Sequence, residues 1–292
     1  MTQDNQKTKS RDHGGGIDAA IAQYGGTRNT WVDLSTGINP VPYPLPDFAK
    51  FHWTQLPDQA AFDAFETVAR KFWNIPENAA IIPASGASAI IAMLPSILEG
   101  SSAVIPEPTY NEHRAAYLAN GWQVSKTGDV KTIVHPNNPD GRLYAQEDLT
   151  AQTCVIDESF CDICPEFSMV SHATDRGHIV IKSFGKFWGL AGMRLGAAIV
   201  PERMASTIRE RVGPWAVSGP ALHTGTLALQ DSQWINETRK RLKADAKKLD
   251  DIMLEKGITS LGGTSLFRLY HVQNARACYE RFAENHILTR VF

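Results

Sequence analysis

The sequence predicts an α/β fold built on a mainly parallel β-sheet. Short apolar segments alternate with longer amphipathic segments from about residue 60 to residue 200. Parallel strands that are buried on both faces carry continuous apolar runs, and the helices that connect them cover both faces of the sheet. The chain has 292 residues, of which 43% are hydrophobic, so it can bury a large core in one or two domains.

This alternation assigns the elements of the central region in order. Residues 60–73 place apolar side chains at helical spacing, AAIIPAS is typical of a short buried strand, and GASAIIAMLPSIL predicts the next helix. The predicted strands that follow are residues 102–105, VKTIVHP, TCVIDES, HIVIKS and LGAAIV. The predicted helices between them are NEHRAAYLANG, closed by Gly121, and QEDLTAQ.

The two ends of the chain predict a second, smaller domain. Residues 1–29 are polar and Gly-rich and predict loops with a short helix, while the Pro-rich residues 30–46 predict extended or loop structure. A long charged helix over about residues 233–256 leads to two strand candidates, SLFRLYHV and ILTRVF, separated by the helix NARACYERFAENH. We therefore predict a large domain over 30–232 and a small domain formed by 1–29 and 233–292.

Charge and composition exclude several classes of function. The net charge is −2 and the pI is about 6.5, which gives no electrostatic argument for nucleic acid or for an anionic membrane surface. The polar N-terminus lacks the apolar core of a signal peptide, and no apolar run approaches the roughly 18 residues that span a bilayer. The expected location is the cytoplasm.

The cysteines loosely resemble a zinc site. Cys161-x-x-Cys164 is followed by His172 and His178, but a strong zinc signal has a longer gap between its ligand pairs. The cysteine pair also follows directly on an apolar strand candidate. We therefore expect the four cysteines of the chain to be free, mostly buried thiols in a reducing compartment, with no bound metal.

The segment SFGKFWGLAGMRLG carries the most informative chemistry. Ser183 and Lys186 form S-x-x-K, and Arg194 follows after seven residues. Lys186 can form a Schiff base with an aldehyde, and Ser183 and Arg194 can hold a phosphate, which fits pyridoxal 5′-phosphate (PLP). S-x-x-K can instead be a serine nucleophile activated by lysine, as in β-lactamase-like enzymes. The companion motifs S-D-N and K-T-G of that class are absent.

Four further candidates lie at the carboxyl ends of predicted strands, where ligands collect in open α/β sheets. Gly86-Ala87-Ser88 can offer N–H groups to a phosphate, and Tyr110 can stack on a ring. Asn138 can bond a phenolic oxygen. Asp157 ends a buried strand, where a carboxylate requires a partner such as a protonated pyridine nitrogen. Each also has an ordinary explanation: a strand-to-helix turn, a core tyrosine, the turn sequence NNPDG, and a helix cap or ion pair.

The order of these residues along the chain resembles the fold-type I PLP enzymes, specifically the aminotransferase class I/II group. The resemblance covers nearly the whole chain. HGG at residues 13–15, LSTGINP ending at Pro40, and SFGKFWGLAGMRLG are most similar to the threonine-phosphate decarboxylases of cobalamin biosynthesis. Histidinol-phosphate aminotransferases are close relatives of that family.

The resemblance implies a fold, a cofactor and a role for each site residue. It implies a seven-stranded, mainly parallel sheet in the large domain, a smaller α+β domain, and a homodimer with active sites at the interface. Lys186 is implied as the Schiff-base lysine and proton carrier, Asp157 as the partner of the pyridine nitrogen, and Asn138 as the partner of the ring oxygen. The remaining implied contacts are stacking by Tyr110, phosphate binding by Gly86, Ala87, Ser88, Ser183 and Arg194, and substrate binding by His13 and Asn39.

The chain departs from the family pattern in three places. Phe160 stands where many aminotransferases have a tyrosine in D-E-A-Y, which weakens the aminotransferase interpretation. Leu56-Pro-Asp58 replaces the Tyr-Pro-Asp that reaches the partner's phosphate in relatives. Relatives also continue past ILTRVF into a strand whose arginine binds the substrate carboxylate, so the small domain is expected to be incomplete beyond Phe292. Arg290 and Arg268 are the candidate substitutes, although both are more typical of ordinary strand or surface residues.

The sequence leads to one principal hypothesis and two alternatives. The principal hypothesis is a PLP-dependent carboxy-lyase that converts O-phospho-L-threonine to (R)-1-amino-2-propanol phosphate. The first alternative is a histidinol-phosphate-type aminotransferase acting on a small phosphorylated amino-acid-like substrate. The second is a PLP-binding homologue without turnover.

Overall fold

The computed structural model describes residues 13–174 and 177–292. The interpretation of residues 1–12 as a polar segment without a signal peptide lies outside the described residues. Nine α-helices occur in the described ranges: α1 (Ile17–Tyr24), α2 (Lys50–Thr54), α3 (Gln59–Phe72), α4 (Ala87–Met93), α5 (Asn111–Ala119), α6 (Glu202–Val212), α7 (Gly219–Gln230), α8 (Ser232–Glu255) and α9 (Ala275–Glu284).

Eleven β-strands occur in the same ranges. They are β1 (Val32–Asp33), β2 (Ala79–Ala84), β3 (Ser102–Val104), β4 (Gln123–Ser125), β5 (Val130–Val134), β6 (Thr153–Asp157), β7 (Ile179–Ser183), β8 (Gly196–Pro201), β9 (Ser260–Thr264), β10 (Phe267–Tyr270) and β11 (Ile287–Leu288). The apolar runs read from the sequence thus coincide with β2, β3, β5, β6, β7 and β8.

Seven of the strands form one sheet in the order β2-β8-β7-β6-β5-β3-β4. Only β8 runs antiparallel to its two neighbours, β2 and β7, and the other pairs of this sheet are parallel. The predicted seven-stranded, mainly parallel α/β sheet is therefore confirmed. The carboxyl ends of six strands meet at one edge, and β8 begins at that edge.

Both faces of the sheet are covered, which is why its central strands are apolar on both sides. Side chains of β2 alternate between the two faces, with Ile81 in one core and Ile82 in the other. Helices α3, α7 and α8 cover the first face and contribute residues such as Phe65, Leu222 and Ile235. Helices α4, α5 and α6 cover the second face.

The chain divides into two compact units. The larger spans Ile38–Tyr270, and the smaller combines the described residues up to Gly37 with His271–Phe292. In the smaller unit β1 and β11 pair in parallel, and α1 and α9 enclose a small core around Trp31 and Leu288. Helix α8 belongs to the larger unit because Ile235 and Leu242 are buried in its core. The domain boundary proposed at residue 232 stays a prediction.

Several elements differ from the sequence-based prediction. QEDLTAQ forms only a single 3-10 turn at Gln146–Asp148, because the Asp148 carboxylate accepts the Ala145 N–H at 2.9 Å and closes the turn locally. Helix α4 ends at Met93 and continues as a 3-10 turn over Leu94–Ser96, since Pro95 cannot extend an α-helix.

Other elements escaped the sequence analysis altogether, namely α2, α6, α7, β4 and β9. Helix α7 is buried on most of its surface, so its apolar residues lack the one-sided periodicity that predicts a surface helix. None of the helices in the described ranges combines the length and apolar character needed to cross a membrane.

Candidate active site

The predicted cofactor residues follow the strand ends at one edge of the seven-stranded sheet. Gly86 follows β2, Asp157 ends β6, Ser183 ends β7, and Arg194 precedes β8. Tyr110 follows β3 at the start of α5, and Asn138 lies in the turn after β5. Since β8 alone is reversed, its first residue lies at the same edge as the last residues of its neighbours.

Arg194 lies directly against Gly86 at this edge. A Cβ atom added to Gly86 would lie 2.6 Å from Arg194 Nη2, and Gly86 has a φ of +81°. Arg194 is itself held in the left-handed region, with a φ of 56°, and its Nη1 donates to Ala191 O at 2.9 Å. A non-glycine residue in this conformation is strained by about 1 kcal/mol or more. The strain directs an exposed guanidinium to the start of α4.

Gly196 and Ser183 complete this anion-binding corner. A Cβ at Gly196 would lie 2.6 Å from the backbone nitrogen of Ala87, the first residue of α4. Gly196 is also the register partner of Ser183, whose hydroxyl accepts the Gly185 N–H at 3.1 Å. Ala87 is buried and Ser88 is exposed at the same helix start. The corner thus combines a guanidinium, a hydroxyl and backbone N–H groups, all donors that suit a phosphate.

Asp157 is buried at the end of β6, where its carboxylate is hydrogen-bonded to His113 and Ser159. His113 Nε2 lies 2.9 Å from Asp157 Oδ2, and both side chains are about 3% exposed. Ser159 donates its N–H at 3.0 Å and its hydroxyl to Asp157 Oδ1. Burial acts to raise the pKa of this carboxyl, but the hydrogen bonds and charge of His113 and the bonds from Ser159 outweigh it, so the pKa is lowered. Asp157 is therefore ionised at neutral pH.

The sequence analysis missed His113, which connects two of the predicted residues. Its ring packs edge-on against Tyr110 with centroids 6.2 Å apart, while its Nε2 bonds Asp157. The available signal was its spacing on α5, because His113 and the buried Tyr117 are four residues apart and share one face. Tyr110, Asp157 and the helix face between them therefore form one group.

Lys186 lies in the loop between β7 and β8. Its Nζ is 5.3 Å from the centre of the buried Phe160 ring, which packs edge-on against Phe267 of β10 at 4.9 Å. The carbonyl of Lys186 accepts the N–H of Asn39 at 3.0 Å and of Gly189 at 3.1 Å. The backbone of the lysine is thus fixed while its half-buried side chain reaches an aromatic surface.

Asn138 and its neighbour have different environments. Asn137 is fully buried and bonds Pro108 O at 2.9 Å and Asp140 Oδ1 at 2.7 Å, so it holds the turn in place. Asn138 is only partly buried, which leaves it accessible at the strand end. Its assignment to the cofactor oxygen stays a prediction.

The two predicted substrate residues lie in different units. Asn39 is 2% exposed, donates to Phe187 O at 2.9 Å and accepts from Arg241 Nη2 at 2.6 Å, so its amide anchors the lysine loop. His13 is exposed in the smaller unit, where the neighbouring Gly15 N–H donates to Ser35 Oγ at 2.7 Å. A substrate role for either residue stays a prediction.

Three residues singled out by departures from the family pattern have local roles. Arg268 forms a two-point pair with Asp250, from Nε to Oδ1 at 2.9 Å and from Nη2 to Oδ2 at 2.6 Å. Arg290 lies 4.7 Å from the Phe292 ring in the smaller unit. Asp58 caps α3 by accepting the Ala61 N–H at 3.0 Å.

Taken together, the donor set at this edge fits an aldehyde cofactor that carries a phosphate. The corner at Gly86, Ser183 and Arg194 suits the phosphate, Lys186 supplies an amine, and the ionised Asp157 suits a cationic ring nitrogen. A fold with a mainly parallel sheet and a site at its carboxyl edge is that of an α/β enzyme.

Comparison with known proteins identifies the family. The profile described as aminotransferase class I and II matches residues 122–290. A threonine-phosphate decarboxylase of Sinorhizobium sp is 36% identical, in an alignment covering 96% of this chain and 89% of that protein. The enzyme of that name from Pseudomonas aeruginosa is 33% identical with the same coverage. The chain belongs to the aminotransferase class I and II family.

A solved structure supports the fold over almost the whole chain. Histidinol-phosphate aminotransferase from Sinorhizobium meliloti, determined in complex with pyridoxal-5′-phosphate, matches with a TM-score of 0.78. The match covers 99% of this chain and 89% of that one at 16% sequence identity. The fold-type I architecture expected from the sequence is confirmed.

Proposed function

We propose that this protein is a PLP-dependent carboxy-lyase that converts O-phospho-L-threonine to (R)-1-amino-2-propanol phosphate in cobalamin biosynthesis. The observation that carries the proposal is the 36% identity to a threonine-phosphate decarboxylase over 96% of the chain. The site supports the cofactor in this proposal, because the phosphate corner, the amine and the ionised carboxylate are all at one sheet edge.

In the proposed site, Lys186 binds the cofactor aldehyde, Ser183 and Arg194 bind its phosphate, and Asp157 pairs with its ring nitrogen. When bound, the cofactor supplies an electron sink for the bond that breaks at the substrate Cα. Asp157 remains ionised at neutral pH because His113 and Ser159 lower its pKa, so it can hold a proton on the ring nitrogen. Lys186 is the group that returns a proton to Cα after CO₂ has left.

The decisive experiment supplies O-phospho-L-threonine to the protein with PLP. We expect CO₂ and aminopropanol phosphate in equal amounts, and no reaction in Lys186→Ala. Lys71→Ala is the control, because Lys71 is an exposed lysine in the last turn of α3, which precedes the amino end of β2 and so lies away from the carboxyl edge of the sheet. Release of a 2-oxo acid with conversion of the cofactor to pyridoxamine phosphate would establish an aminotransferase instead. A protein that reacts with PLP but catalyses neither decarboxylation nor transamination would be the inactive homologue.

We also propose that the protein is a homodimer located in the cytoplasm. One stretch of the larger unit exposes large apolar side chains that a monomer would leave in water: Val41, Leu45, Phe51, Trp53 and Leu56, with Trp53 68% exposed. All four cysteines lie in the described ranges and none of them forms a disulfide, which suits a reducing compartment.

The oligomeric state is tested by light scattering coupled to size-exclusion chromatography. We expect a mass near twice 32.2 kDa for the wild type and a shift toward the monomer in Trp53→Glu. The control is Leu118→Glu, which places the same charge at a 51% exposed leucine on α5, outside this stretch. A monomeric wild type would contradict the dimer without affecting the proposed reaction.

A further inference from the structure

Three charged side chains are buried directly behind the candidate active site. Lys182 of β7 is 1% exposed, Glu158 is 1% exposed and Asp162 is 4% exposed. Lys182 Nζ lies 2.5 Å from Glu158 Oε2 and 3.7 Å from Asp162 Oδ1. Charges buried to this degree are costly unless they are paired and hydrogen-bonded. We call these three residues the buried ion cluster.

Glu158 accepts hydrogen bonds from three donors in two parts of the chain. Besides Lys182, it accepts the hydroxyl of Ser168 at 2.7 Å and the N–H of Met169 at 2.5 Å. Burial acts to lower the pKa of Lys182, but the negative charges of Glu158 and Asp162 outweigh it, so the pKa is raised. Lys182 is thus a cation at neutral pH and neutralises Glu158.

Asp162 is held by aromatic donors. The indole N–H of Trp73 donates to its Oδ1 at 2.9 Å and the indole N–H of Trp188 donates to its Oδ2 at 2.8 Å. Arg239 of α8 donates twice to the Asp162 carbonyl, at 2.9 and 2.7 Å. Asp162 therefore connects α3, α8 and the loop between β7 and β8.

Two members of the buried ion cluster are chain neighbours of a cofactor residue, and the third, Asp162, bonds Trp188 of the lysine loop. Glu158 follows Asp157, and its N–H donates to Ile181 O of β7 at 2.9 Å. Lys182 precedes Ser183, and Trp188 comes two residues after Lys186. Successive residues of a strand point to opposite faces of the sheet, so the cluster joins the ends of β6 and β7 on the face opposite the side chains of Asp157 and Ser183.

A metal ion is not required to balance this cluster. His135, Glu158 and Cys161 have their potential ligand atoms within 4.8 Å of one another. However, His135 Nε2 bonds Phe167 O at 2.7 Å and its Nδ1 accepts the Tyr144 N–H at 3.1 Å. Glu158 is already occupied by Lys182. The cation of this region is therefore the lysine itself.

We infer that Lys182 is a positioning residue. By neutralising the buried Glu158, it holds Asp157 and the Ser183–Lys186 loop in the positions that the cofactor requires. The inference rests on the proposed function only in taking Lys186 and Asp157 as cofactor ligands. Side chains that fix reacting groups act through small displacements, and a misplacement of about 1 Å can lower activity by roughly 100-fold.

The test compares a variant that loses only the positive charge of Lys182 with a variant that loses the charges of both Lys182 and Glu158. In Lys182→Met the carboxylates keep their charge without the cation, and in Lys182→Met/Glu158→Gln one charge of each sign is removed together. The dissociation constant for PLP is measured by absorbance, at a temperature where circular dichroism shows that the protein is folded. We expect it to rise roughly 10- to 100-fold in the single variant. In the double variant it should return to within about threefold of wild type.

Ile208→Ala is the matched control, because Ile208 is fully buried on α6, a helix that carries none of the cofactor residues. It should lower the melting temperature and leave the PLP dissociation constant unchanged. If Lys182→Met does not fold, Glu158→Gln replaces it, with the same expected loss of affinity and the same rescue in the double variant.

Two results would overturn this inference and leave the proposed function intact. One is a wild-type affinity for PLP in a destabilised single variant, and the other is a double variant whose affinity for PLP does not recover. A wild type that forms no borohydride-trapped adduct at Lys186 would instead overturn the proposed function, and this inference with it.

Discussion

Asp157 shows how its hydrogen-bonding neighbours decide the charge of a buried carboxyl. Its position at the end of a buried strand would favour the neutral acid, but His113 and Ser159 bond the charged form and lower its pKa. The His113 ring also contacts Tyr110, so one side chain sets both the charge and the aromatic wall of the site. His113 is thus the residue on which we expect cofactor affinity to depend most, apart from the direct ligands.

Replacing His113 with leucine should weaken PLP binding and destabilise the protein by roughly 3 kcal/mol, since it leaves a buried carboxylate without its partner. The pKa of Asp157 should rise, so PLP affinity should be lost at a higher pH than in the wild type as the solution is acidified. The measurement is the PLP dissociation constant as a function of pH, together with urea unfolding.

His113→Gln is the matched variant, because an amide N–H can still donate to Asp157. This variant should retain more of the affinity for PLP than the leucine variant. On acidification it should lose that affinity at a pH closer to the wild-type value. Equal behaviour of the glutamine and leucine variants would mean that packing, and not the hydrogen bond, is what His113 contributes.

At the scale of elements, the phosphate corner depends on close approach between α4 and β8. Gly86 and Gly196 both lie where a side chain would collide, Gly86 with the Arg194 guanidinium and Gly196 with the backbone of Ala87. The β9–β10 hairpin makes a similar approach on the other side of the site, where the Gly263 N–H donates to Asp140 O at 2.9 Å in the turn that carries Asn138. The site is therefore formed by backbone contact between elements as much as by side chains.

Gly86→Ala separates backbone strain from displacement of Arg194. Gly86 has a φ of 81° and a ψ of 162°, angles that are essentially restricted to glycine, so alanine there is destabilised by roughly 1–3 kcal/mol. Its Cβ would also displace a guanidinium nitrogen 2.6 Å away. Gly213→Ala is the control, since Gly213 has nearly the same backbone angles, a φ of 82° and a ψ of 168°, with no other atom within 4 Å of the added Cβ.

Both variants should therefore lose similar stability in urea unfolding, and only Gly86→Ala should weaken PLP binding, by roughly tenfold. Equal PLP affinities in the two variants would show that Arg194 does not require this corner to bind the phosphate.

At the scale of the whole molecule, two buried groups limit stability in alkali. Burial raises the pKa of Tyr117 to about 12 from 10.0, so the unfolded chain ionises first and stability is lost as pH rises from 10.0 toward about 12. Lys182 has a raised pKa in the fold, and its contribution is complete below 10.5 and is lost as pH rises through the folded value. Both effects have the same sign.

Urea unfolding from about pH 9 to about pH 11 should therefore show a falling free energy of unfolding. Tyr117→Phe is expected to remove roughly 1 kcal/mol of that fall at about pH 11, at the cost of the hydrogen bond to Thr132 at 2.9 Å. A slope identical to wild type would place the alkaline sensitivity in other groups.

The sequence predicted the strands and the residues at their ends because apolar runs are readable and a polar residue at the end of one stands out. Asp157 was found in this way, and Ser183 was found from its S-x-x-K spacing to Lys186. His113, Gly196 and Lys182 were not, because each acts across elements that are distant in sequence. Gly196 is a small residue in an apolar run. Lys182 lies within a predicted strand, and its pairing with Glu158 becomes evident only in the folded structure.

The reversed strand β8 also determines where this fold tolerates change. Gly196 is the register partner of both Ala84 and Ser183, so the beginning of this strand is fixed from two sides at once. An insertion in the return segment between Ser183 and Gly196 would shift that double register and remove Arg194 from its corner. At its far end β8 leads directly into α6, and Pro201 has a register partner on one side only, Ala79 of β2. We expect length variation among homologous chains, and successful loop grafting in the laboratory, to be concentrated at that opposite edge.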